Sequence, residues 1–157
     1  MPLIHLTNFI AAPIERVFDL SRSVALHKRS MVKYGEQAIN GKTSGLMELG
    51  ETVTWKAKHV YKERIMTVKI TSLQRPFAFT DEQVKGDFKM MKHEHFFKPA
   101  ENGTIMIDQF FYEISTVLSK WINAFYLTDY MTTLLEERNA TIKSVAEGAQ
   151  WQPLLVR

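Results

Sequence analysis

Three histidines fall on inward strand faces by parity alone. In the run Met91-Lys92-His93-Glu94-His95-Phe96-Phe97-Lys98, His93 and His95 share parity with Met91 and Phe97 and oppose Lys92, Glu94 and Lys98. Successive side chains on a strand point to opposite faces, so both imidazoles face the apolar side. His59 ends a similar row, Val53, Trp55, Ala57 and His59, which alternates with Thr52, Thr54, Lys56 and Lys58. Imidazoles can ligate zinc or move protons near neutral pH. No further ligand stands at a diagnostic spacing, because Glu94 points to the opposite face, so no metal site is expected. Two uses stay open: hydrogen bonding to an oxygen of a bound ligand, or bonding to neighbours within the wall.

Asp108 and Arg138 form a second constellation. Arg138 falls inside the apolar stripe of a long C-terminal helix, where a cation needs a partner. Asp108 stands mid-strand between Met106 and Phe110, on the inward row. The expected partner of Arg138 is Asp108 or the carboxylate of a ligand. The ion pair that ties helix to sheet is the favoured reading; Asp108 could instead orient a histidine, and a dyad with His95 would resemble a general base. The sequence leaves the choice between ion pair and dyad open.

The same rows supply an apolar lining. Trp55, Met66, Phe77, Phe79 and Met91 fall on inward strand positions, as do Phe97, Met106 and Phe110; Trp121 and Met131 lie on the helix stripe. Plain core is one reading. One helix cannot fill a strongly curved sheet, however, and pliable Met and flat aromatics suit an adaptable pocket. The chain holds 10 Phe, 5 Tyr, 3 Trp and 8 Met, a large soft apolar inventory.

Other motifs carry nothing. Gly35 and Gly41-Lys42-Thr43 are separated by five residues where a phosphate loop needs four, and no helix follows. Asn102-Gly103-Thr104 and Asn139-Ala140-Thr141 match the glycosylation pattern without a secretory signal. Lys56, Lys58, Lys69, Lys92 and Lys98 read as a solvated face.

These residues need elements to hold them. Residues 3–12 alternate as a strand, and Pro13 opens a short helix over 13–21 with Ile14, Val17 and Phe18 on one side. A second short helix holds Val24, Ala25 and Leu26, and a short strand is expected at 36–39. Four or five consecutive antiparallel strands follow from 52 to 113, with breaks near Tyr61-Lys62-Glu63, Gln74-Arg75-Pro76, Lys85-Gly86-Asp87 and Pro99–Gly103. Phe77 and Phe79 begin one of them. From Ser115 to about Glu147 the period turns helical, with Trp121, Ala124, Leu127, Met131, Leu134, Leu135, Ile142 and Val145 on one stripe. The expected fold is α+β: one strongly curved antiparallel sheet around one long helix, with two short helices after the first strand.

At 157 residues one domain, 1–157, is expected. Apolar residues at 45% and charged ones at 24% exclude a disordered chain. No stretch is apolar and long enough for stable membrane insertion. With no cysteine there is no disulfide and no thiolate chemistry. Met1-Pro2-Leu3-Ile4-His5 lacks a signal peptide's features, so a cytoplasmic protein is expected. A net charge of +3 spread over dispersed basic residues gives no nucleic-acid footprint. The row Ile105, Ile107 and Phe111 is apolar where solvent is expected, Ile122, Phe125 and Tyr126 sit off the main helix stripe, and the tail Trp151–Val156 is apolar. Either these serve a homodimer or docking contact, or the tail covers the outer sheet face of its own chain.

The order of elements and several segments resemble the SRPBCC superfamily, the START and Bet v 1-like helix-grip proteins. The segments are Phe9–Leu20 (FIAAPIERVFDL), Gly45–His59, Arg75–Phe97, Gly103–Ile114 and Leu134–Asn139 (LLEERN). The His-Glu-His strand and the Arg-Asn pair on the last helix are similar to a bacterial branch labelled polyketide cyclase-like or ligand-binding. The resemblance implies six or seven strands gripping the C-terminal helix and a deep cavity for an apolar small molecule, with no cofactor. It implies no single activity, because a fold does not fix a function. Three expectations follow. The first is a binder of a lipid, polyketide or isoprenoid type of ligand. The second is a cyclase or dehydratase with His93 or His95 as general base and Asp108 orienting it. The third is a protein-interaction module of the chaperone-activator type.

Overall fold

A computed structural model describes residues 2–120 and 122–156. Strand β1 (Leu3–Ile10) leads into helices α1 (Ile14–Ser21) and α2 (Val24–Ser30). Strands β2 (Gln37–Gly41), β3 (Thr52–His59), β4 (Lys62–Gln74), β5 (Ala78–Lys85), β6 (Phe88–Ala100) and β7 (Gly103–Ile114) follow. A single turn of helix, α3 (Thr116–Ser119), precedes the long α4 (Ala124–Glu147), and the chain ends in a 3-10 turn, Gln152–Leu155. The seven strands form one antiparallel sheet in the order β1-β7-β6-β5-β4-β3-β2. Among the described residues no helix is long and apolar enough to cross a membrane.

Local chemistry sets the boundaries. Pro13 precedes α1 with φ −59°, a value its ring fixes in advance. Ser23 caps α2 by accepting from the Leu26 amide at 3.2 Å, and Asn123 caps α4 by accepting from Phe125 and Tyr126. Glu101 and Asn102 join β6 to β7, and Asn102 takes the positive φ of 62° that such a turn needs. The sheet's curvature comes from register shifts. β4 slips against β5 between Thr67 and Val68 and again between Ile70 and Ser72, and β6 slips against β7 between Phe88 and Met90. An extra residue on one strand bends it and increases its twist.

The core joins α1, the C-terminal half of α4 and the inner sheet face. Phe18 of α1 is 0% exposed and meets Phe79 and Phe97 edge-on at 5.6 and 5.4 Å. Leu135, Ile142, Val145 and Ala146 seat the second half of α4.

Several expectations need correction. The helical period over 115–147 is two helices, because Ser115 and Asn123 each start a new one. Ala124, placed on the buried stripe, is exposed, whereas Ile122, placed off it, is buried. Phe77 is not in a strand. It stands in the turn between β4 and β5, where alternation does not operate, and is 55% exposed. The tail does not cover the outer sheet face. Trp151 lies under the Arg16 guanidinium of α1 at 4.1 Å, and Ser23 Oγ donates to the Leu154 carbonyl at 2.6 Å. The outer row Ile105, Ile107 and Phe111 therefore stays half-exposed beside Leu3 and Phe9.

Candidate functional site

Strand register brings four ionisable side chains onto one inner patch. His95 pairs across β6–β7 with Asp108, and His93 pairs across β5–β6 with Asp81. The hydrogen bonds run along the diagonals: His93 Nε2 to Asp108 Oδ1 at 2.8 Å, and His95 Nε2 to Asp81 Oδ2 at 2.7 Å. His95 Nδ1 also lies 3.2 Å from Asp108 Oδ1. The two rings stand 3.8 Å apart, and Phe79 stacks on His95 at 4.1 Å. Such cross-strand and diagonal neighbours are the contacts a pleated sheet brings within reach.

Helix α4 closes the patch from above. Arg138 Nη1 donates to Asp108 Oδ1 at 3.4 Å and to Asn139 Oδ1 at 2.9 Å, and Nη2 donates to the Ser21 carbonyl at 3.3 Å. Asn139 Nδ2 donates to Asp108 Oδ2 at 2.7 Å and to Asn8 Oδ1 at 3.0 Å. Asp108 is thus partnered by both histidines, Arg138 and Asn139, at 0% exposure. The ion pair and the histidine dyad, alternatives in the sequence, exist together. Arg138 needs no ligand carboxylate.

The electrostatics follow from this packing. Burial alone would raise the Asp108 carboxyl, but hydrogen bonds from His93 and His95 and the charge of Arg138 hold it well below the ordinary range. Burial also opposes ionisation of Asp81, and its bond to His95 outweighs that, leaving it lowered. His93 is pushed down to about 4, by burial first and by its neighbour His95 second, against the pull of Asp108.

Beside this cluster lies a cavity of about 220 Å³ between the sheet and the N-terminal half of α4. Trp55, Met66, Phe79, Met91, Phe110 and Met131 line it, with His93, His95, Asp81 and Arg138 in the same wall. His59 also lines it, apart from the cluster, with Nδ1 2.7 Å from the Tyr130 hydroxyl and burial lowering its pKa. The exposed Ile65 and Asp87 belong to the lining, so the cavity opens between the β3–β4 and β5–β6 turns. Three predicted lining residues are absent from it, and one of them, Met106, is packed in the core at 0% exposure. Phe97 is core, 2% exposed and stacked on Phe79 rather than facing open space, and Phe77 is on the outside. Trp121 lies outside the described residues.

Sequence reasoning misses Asp81 and Asn139. A signal for Asp81 exists, since it shares parity with the inward Phe79. Asn139 enters the sequence reading only as half of the Arg-Asn pair that carries the resemblance, and its role depends on how α4 seats against β1. One ligating atom each of Asp81, His93 and His95 lies within 4.8 Å of the others, the third donor that spacing alone does not supply. A metal there would have to replace the proton shared by His95 and Asp81, because their 2.7 Å contact is a closed hydrogen bond.

No protein-family model matches the sequence, and no curated protein sequence matches it. The resemblance to solved structures is one of shape. A Thermus thermophilus protein aligns at 16% identity and TM-score 0.74, over 90% of this chain and 94% of that one. A START superfamily protein from Mycobacterium smegmatis aligns at 9% identity and TM-score 0.70, over 92% and 97%. The fold is the START and Bet v 1-like helix-grip fold. A major latex-like protein from Panax ginseng shares it, at 13% identity and TM-score 0.62 over 88% of this chain and 95% of that one.

Proposed function

We propose that this helix-grip chain binds an apolar small molecule of lipid, polyketide or isoprenoid type between the sheet and α4. The observation that carries the reading is the cavity itself: an opening at one end, an aromatic and Met wall, and one buried polar cluster in that wall. Pockets of this composition take up apolar bodies and use a few polar groups to orient them. The test is native mass spectrometry of the purified protein together with displacement of an apolar dye. A co-purifying ligand or micromolar dye uptake, with a change in Trp55 emission, is the expected result. Neither signal at micromolar protein would overturn the reading.

The Asp108–His93 dyad favours a second reading, a cyclase or dehydratase with His93 as general base. Its basicity counts against that reading. A general base works best with a pKa near the operating pH, and His93 at about 4 lies well below neutrality.

A further inference from the structure

We infer that the polar end of the cavity recognises a hydrogen-bond donor, so that the ligand carries a hydroxyl or ammonium head and not a carboxylate. This rests on the ligand-binding reading of the same cavity. Ionised Asp108 can only accept, so the His93 proton sits on Nε2 and leaves Nδ1 as a lone pair. Asp81 accepts from His95 through Oδ2, and no hydrogen bond reaches its Oδ1 among the described residues. The one sealed side-chain polar atom without a partner among those residues is Arg16 Nε, remote from the cavity. His93 Nδ1 and Asp81 Oδ1 therefore reach open space. Both residues line the cavity, and the Asp81 side chain is 18% exposed.

The donors of the cluster are mostly engaged. All four N–H groups on the terminal nitrogens of Arg138 are engaged, by Asp108 and Asn139 at Nη1 and by the Ser21 carbonyl and His95 Nδ1 at Nη2, which leaves Nε as its remaining donor. Arg22, also in the wall, is held by Asp19 at 2.7 Å and Glu48 at 2.9 Å. The charges agree with this. Two carboxylates stand against one guanidinium, so with neutral imidazoles the patch carries −1, and a proton on His95 brings it to zero. In neither state is it positive. A hydroxyl can donate to Asp81 or His93 and accept from Arg138 Nε, and an ammonium can donate to both acceptors. A carboxylate would face the Asp81 oxygen without a charge to balance it.

Two matched probe pairs test this by dye displacement on the full chain in EDTA. The first pair is 1-decanol against its isomer methyl nonyl ether, which has the same atoms and no donor. The second is decylamine against decanoate. The expected result is that the alcohol binds at least about tenfold tighter than the ether and the amine at least about tenfold tighter than the acid, the size of one well-made hydrogen bond. In a merely apolar cavity the ether would bind as well as the alcohol. Ether equal to alcohol, or decanoate equal to or tighter than decylamine, overturns the proposal while leaving cavity binding intact. No binding by any of the four overturns both. Asp81→Asn should narrow the amine preference, and the native-chain series stands even if that variant does not fold. A repeat with zinc chloride in place of EDTA separates a metal: decanoate that binds only with zinc would place an ion among Asp81, His93 and His95 and overturn the proposal.

Discussion

Replacing Asp108 by Ala removes the acceptor shared by His93, His95, Arg138 and Asn139. The stranded guanidinium cannot lose its proton, so the expected loss is about 3–5 kcal/mol in urea unfolding. Arg138→Met should cost less, about 1–3 kcal/mol, because Asp108 keeps both histidines and Asn139 as partners. Equal losses would mean that the 3.4 Å ion pair dominates the network. The pH dependence separates the groups. The folded pKa of His93 is depressed from about 6.5 to about 4, so between those values the unfolded chain binds the extra proton. Stability should rise with pH across that window, by on the order of 3 kcal/mol, and His93→Gln should flatten it. Asp81, Asp108, His95 and Arg138 face His93 in the wall. Of these, the depressed carboxylates contribute stability that is present above about pH 4 and lost as pH falls through their folded values. A stability curve flat from pH 7 to pH 4 in the native chain would contradict the burial of His93.

At the scale of elements, the aromatic contacts of α1 hold it against the inner face of the sheet. Phe18 ties α1 to β5 and β6 through Phe79 and Phe97, and Phe18→Ala should cost about 3–5 kcal/mol. Phe77→Ala, two residues before Phe79 and of the same parity, should stay within about 0.5 kcal/mol in the same melts. The contrast arises because alternation begins only where pairing begins, and Ala78 is the first residue of β5. A large loss at Phe77 would mean that its exposed ring has a partner in solution.

At the scale of the molecule, the cavity exists because α4 packs closely on the core through its second half, while its first half reaches the sheet through the His59–Tyr130 and Tyr112–Thr128 hydrogen bonds. Its buried residues crowd into the second half, from Leu135 to Ala146, while Leu127, Met131 and Leu134 span the open half. A helix of 24 residues, about 36 Å long, crosses a sheet whose bulges bend away beneath it. The tail packs on α1 and on Ser23. A chain ending at Gln150 would lose the stacking of Trp151 on Arg16 and the Ser23–Leu154 bond, for about 2 kcal/mol. Gel filtration should show no change in oligomeric state, since the tail packs on its own chain. A changed oligomeric state would assign the tail to an intermolecular contact instead.

Period-two alternation and the switch to a helical period identified the sheet, the long helix and the inward faces of His93, His95, Asp108 and Arg138, because burial imposes those periods on the sequence directly. Parity also held the signal for Asp81, through Phe79, but a polar run such as Thr80-Asp81-Glu82-Gln83 shows no apolar alternation to point at one member. Which diagonal each imidazole takes, and whether Asp108 serves a histidine or the arginine, depended on strand register and on the seat of α4. The same is true of Asn139 reaching Asp108, of Phe97 facing α1 rather than open space, and of the tail lying on α1. These are contacts between residues distant in sequence, and a local period carries no information about which of them close in space.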